Sequence, residues 1–140
     1  MKKILLVLGI LTTLIVLIMI YINENITSPK SRLKQQFNLE LKDGQFSIAN
    51  EREQWSPNGN GFYYVEINLI NDFSIIKEIQ SKFKPLPVKE DFPGNSVIGN
   101  VNNFQDGYYS IGTIETDPTT FKIALYDSKK KKIILYYEVL

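Results

Sequence analysis

The chain has 140 residues, 44% of them hydrophobic and 22% charged, with 16 basic and 15 acidic side chains and neither cysteine nor histidine. Without cysteine there is no disulfide, thiolate nucleophile, thiol for lipid attachment or Cys-rich zinc site. Without histidine the commonest metal ligand, the usual acid–base group near neutral pH and every serine triad built on histidine are gone too.

Ile4 to Ile22, ILLVLGILTTLIVLIMIYI, carries no charge. At about 1.5 Å per residue the run matches the roughly 30 Å hydrocarbon core of a bilayer, so it reads as a transmembrane helix and makes the lipid bilayer the first expected partner. A cleavable signal has about 7 to 15 apolar residues and an A-x-A-like site. Here the run is longer, and Tyr21, Ile22, Asn23, Glu24 and Asn25 stand where small residues are needed. The sequence therefore favours an uncleaved anchor over a secreted domain released by signal cleavage. Lys2 and Lys3 abut the run, whereas Lys30, Arg32 and Lys34 lie beyond an intervening Glu24. The positive-inside rule then keeps a tail of residues 1–3 in the cytoplasm and puts the rest outside, in a bacterial-type envelope.

After the run the chain divides into a polar tether over 23–30 and one domain over 31–140, too short for a second. Lys2 and Lys3 precede the apolar run and all the acids follow it, so this part is one unit negative and offers nucleic acid no positive footprint. Asn25-Ile26-Thr27 matches the glycosylation sequon. Ser28-Pro29 has the form of an N-cap followed by proline at the first helical position, which predicts a short helix from about Pro29 to Gln36. Phe37, Leu39 and Leu41 then alternate with polar residues, Asp43-Gly44 is the dipeptide of tight hairpin turns, and Phe46 and Ile48 resume the alternation. That pattern predicts a hairpin whose second strand fades into Glu51-Arg52-Glu53.

Trp55 precedes the turn cluster Ser56 to Gly61, and Phe62 to Ile70 is the clearest core strand, with Tyr63, Val65, Ile67 and Leu69 on one face. Asn71 or Asp72 caps a helix carrying Phe73, Ile76, Ile79 and Phe83 at helical spacing, which Pro85 stops. Lys84 to Asp106 is a long loop rich in Pro, Gly and Asn. Its scattered apolar residues predict that it packs down on the domain, with a short strand at Ser96 to Val101. The last third reads as a meander: Gly107 to Glu115, a turn at Asp117-Pro118, Thr120 to Asp127, a turn at Asp127 to Lys130, and Lys132 to Val139. Ile133 to Tyr137 is apolar on both faces, as in an interior strand covered on each side. The sum is an α+β class: a transmembrane helix, then a small antiparallel sheet of about five or six strands with one main packed helix.

Chemistry is sparse. Asn58-Gly59-Asn60-Gly61 offers amides where a calcium loop needs carboxylates, so it reads as a surface turn, and no metal or other cofactor is expected. Glu51 with Glu53, and Asp106 with Glu115, are the acid pairs that a membrane-tethered, carboxylate-dependent hydrolase would draw on. No catalytic motif accompanies them, so the expectation is a non-enzyme. Lys129 to Lys132 reads as a solvated turn guarding the neighbouring strand. Tyr63-Tyr64, Tyr108-Tyr109 and Tyr136-Tyr137 send one ring of each pair to either side of a sheet. Tyr64, Tyr109 and Tyr137, with Trp55, are the candidate binding residues, and the leading expectation is an envelope interaction module for a protein or glycan.

Overall fold

A computed structural model describes residues 2–22, 26–70, 73–89, 95–114 and 117–139. The first helix, α1 (Lys2–Ile22), is 21 residues long, and its described side chains are all exposed, from Ile22 at 42% to Ile4 and Met19 at 66%. The Thr12 and Thr13 hydroxyls inside it donate to the Gly9 carbonyl at 2.9 Å each. Among the described residues no helix is long and apolar enough to cross a membrane. The Asn25 sequon lies outside the described residues.

α2 (Pro29–Phe37) starts as its sequence predicts. The Ser28 side chain accepts from Ser31 N–H at 3.2 Å, with Pro29 at the first turn. It ends at Asn38, whose left-handed φ of 51° lets its N–H reach Lys34 O at 2.9 Å. Phe37 therefore belongs to the helix, and the predicted first hairpin does not form. Segment 38–42 is extended but unpaired, although Leu39 and Leu41 are buried as their alternation requires. The type I′ hairpin turn that Asp-Gly favours needs positive φ at both central positions. Here only Gly44 has it, at +79°, in a turn closed by Gln45 N–H to Lys42 O at 3.1 Å.

β1 (Phe46–Trp55) runs on through the charged residues to Trp55 and pairs antiparallel with β2 (Gly61–Leu69), with a bulge between Ile48 and Asn50. Gly61 is obligatory at that join, because a Cβ there would collide with Gln54 O and come within 2.7 Å of the Trp55 ring. α3 (Phe73–Lys82) turns the predicted Ile76 and Ile79 inward, with Phe83 just beyond its end, and buries Ile75 beside them, but leaves Phe73 76% exposed; the predicted cap residues lie outside the described residues. β3 (Lys84–Pro85) follows. The loop then holds α4 (Asn95–Ile98) and a 3₁₀ turn at Val101–Asn103 where a strand was expected, with Gly99 at φ +81° between them.

β4 (Gly107–Ile114), β5 (Asp117–Asp127) and β6 (Lys132–Val139) form the predicted meander, except that Asp117-Pro118 opens β5 rather than turning the chain. Asp127 Oδ1 accepts from the N–H groups of both Lys129 and Lys130 at 3.0 Å, which folds the second turn. The sheet has six strands in the order β1-β2-β6-β5-β4-β3, all pairings antiparallel, and the class is α+β.

Both faces of this sheet are covered. On one, Tyr63, Val65, Ile67, Ala124, Tyr126, Ile133 and Leu135 pack with Leu33 and Phe37 of α2, Leu39, Leu41, and Ile75 and Ile79 of α3. Two helices thus share the work assigned to one. On the other face, Tyr64, Tyr109, Ile123, Leu125, Ile134 and Tyr136 lie beneath Leu86, Val88, Val97, Ile98, Val101 and Phe104 of the long loop. The loop packs down as its apolar residues predict, and acts as the sheet's second layer.

Candidate functional site

The strand register decides what the tyrosines can do. Tyr63 lies opposite Tyr137 and Tyr64 opposite Tyr136, so Tyr137 is on the helix-covered face while Tyr64 and Tyr109 are on the loop-covered one. The predicted trio is split between two faces. Tyr64 is 6% exposed and Tyr109 2%, so neither offers a ring to a partner. The Tyr64 hydroxyl donates to Glu66 at 2.5 Å and that of Tyr136 to Glu138 at 2.6 Å. Burial, reinforced by these carboxylates, pushes both phenols well above their usual range. An exposed tyrosine row presumed a bare side of the sheet, and the loop covers that side at Tyr64 and Tyr109.

Tyr137 and Trp55 do come together, 6.0 Å between ring centroids, at a polar cluster organised by Arg32 of α2. The guanidinium lies 4.0 Å from the Tyr63 ring centroid, donates to the Tyr137 hydroxyl, reaches Glu53 Oε2 at 3.1 Å and donates through Nε to Thr27 O at 2.6 Å. Its side chain is only 12% exposed. Beside it the Tyr63 hydroxyl donates to Glu51 at 2.8 Å, and burial drives both Tyr63 and Tyr137 up, against the lowering effect of Arg32. Nothing in the local sequence marks Arg32. Its partners stand 21 and 105 positions away, and only the register unites them.

Glu51 and Glu53 share a face as predicted, but each has a partner in this cluster. Asp106 pairs with Lys129 at 2.5 Å, and Glu115 lies outside the described residues. Among the described residues the Glu40 and Glu66 carboxyls are lowered, the opposite of what a general acid requires: Glu40 by its hydrogen bond with Lys34, Glu66 by those with Lys132 and Tyr64. Among the described residues no cluster of three acids could hold a metal ion. In the Ser56–Gly61 turn, Asn58 Oδ1 is occupied by the Ser56 hydroxyl and Gly59 N–H reaches Ser56 O at 2.9 Å.

An open surface lies at β1. It is an edge strand with β2 on one side only, and eight of its ten residues are exposed, Ile48 at 40% and Trp55 at 38% among them. Alongside its first half, between α2 and the Asp43 turn, lies a groove of about 870 Å³. Phe46 and Ile48 give it an apolar lining, and the ion pairs Lys30–Asp43 (2.8 Å) and Lys34–Glu40 (3.0 Å) hold its rim. A strand edge offers a row of backbone donors and acceptors, and a neighbouring groove offers room for side chains, which is the equipment for receiving an extended polypeptide. In comparisons with known proteins, the chain matches no family model, no curated protein and no solved structure.

Proposed function

We propose that this is a single-pass membrane protein of the cell envelope, anchored by residues 4–22 with a short cytoplasmic tail. Its extracytoplasmic α+β domain is a binding module that takes an extended segment of a partner protein along the β1 edge. What supports the anchor is a 19-residue stretch without charge, carried on a helix whose described side chains turn outward and whose threonine hydroxyls bond within the helix. The observation that carries the binding role is the open edge of β1 beside its groove. With both faces of the central strands covered, this edge joins unmet pairing capacity to an apolar lining.

A photo-crosslinking residue placed at Ala49 in living cells is expected to trap a discrete protein adduct, and one at Lys77 on the exposed side of α3 to trap none. Equal absence at both positions would remove the edge from consideration.

A further inference from the structure

If α1 crosses the bilayer, the tether restricts where the domain can stand, and the following rests on that reading. Ile22 and Thr27 are five residues apart, a connection that at about 3.6 Å per residue spans at most roughly 18 Å. Its far end is pinned, since Thr27 O is held by Arg32 Nε at 2.6 Å. The same guanidinium bonds Tyr137, and Trp55 packs on the Tyr137 ring at 6.0 Å. A short series of contacts therefore runs from the membrane exit to Trp55. That residue is the sole tryptophan of the chain, 38% exposed at the end of an edge strand, and Ile26, just before Thr27, is 50% exposed.

We propose that Trp55 and Ile26 seat the domain on the bilayer surface, the indole at the boundary between headgroups and acyl chains, so that the module lies on the membrane at a fixed height. An indole has an apolar body and one N–H donor, and such rings concentrate at membrane–water boundaries. The charges nearby specify what kind of surface. Arg32 is paired with Glu53, Lys30 with Asp43 and Lys34 with Glu40, so no unpaired basic cluster among them calls for anionic headgroups. The surface it fits is zwitterionic, and the contact is apolar and insensitive to salt.

The single tryptophan makes the test direct. Full-length protein is reconstituted into phosphatidylcholine vesicles, with or without bromine on the upper part of the acyl chains, and recovered by flotation. Brominated lipid is expected to reduce the emission by more than half, aqueous iodide by less than a fifth, with neither value changed by added anionic lipid or 0.5 M salt. Protein that floats with the vesicles but keeps full emission in brominated lipid overturns the docking while leaving the anchor intact. Protein that does not float overturns the anchor and the docking with it. Quenching that requires anionic lipid overturns the zwitterionic assignment.

Discussion

At the scale of single residues, Arg32 is the side chain that ties α2 to the sheet. It joins the start of α2 to β1, β2 and β6 through one planar group that makes an ion pair, two hydrogen bonds to neutral oxygens and a stacking contact. Arg32→Ala is expected to lower stability by about 2 kcal/mol, from lost cation–π contact and charge-assisted bonds, read as a shifted denaturation midpoint. Arg32→Lys should recover less than half of that, because an ammonium can neither stack flat nor fork. The buried phenols make a second prediction. Tyr63, Tyr64, Tyr126, Tyr136 and Tyr137 are all raised above 10, chiefly by burial. An acid whose folded pKa is raised holds its proton more tightly in the native state, so above pH 10 the unfolded chain binds fewer protons than the folded one, and stability falls. Stability should be level from neutrality to about pH 9.5 and decline steeply beyond pH 10, by denaturation at stepped pH. A level profile to pH 12 would mean that these rings ionise freely and are not buried.

At the scale of elements, the sequence was a good guide wherever one local rule governed. The Ser28-Pro29 start of α2, the last three strands and the double-sided apolarity of β6 were all legible, because caps, alternation and burial act within a few residues. The early hairpin was misread because alternation over Phe37 to Leu41 reports which residues are buried and cannot report whether a strand lies beside them. The helix cap at Asn38 and a turn with one positive φ decide that instead. Arg32 and the split of the tyrosine trio were illegible, since both are products of pairing between distant strands. Six apolar residues scattered through the long loop were the available sign that the second face is covered, and their number was a better clue than their spacing. The exposure of Phe73 at the start of α3 gives a clean check. Ile79→Ala is expected to cost about 3 kcal/mol by opening a cavity, whereas Phe73→Ala should change stability by less than about 0.5 kcal/mol. The predicted face, with Phe73 inward, would give the reverse order for that residue.

At the scale of the whole molecule, a sheet whose central strands are covered on both sides directs attention to the exposed edge strand β1. The proposed topology is checked by location: the protein should resist alkaline extraction from membranes, and protease added to intact cells should digest residues beyond the tether. Protection in intact cells with digestion after lysis would reverse the orientation. One feature of the strand order bears on how such a molecule is made. β6 comes last among the strands yet sits between β2 and β5, so the central joint of the sheet waits for residues 132–139. A chain made from its amino-terminal end therefore holds two unconnected hairpins, and it stays open to proteases through nearly all of its synthesis. A premature stop before Lys132 yields a polypeptide for degradation and no smaller version of the domain.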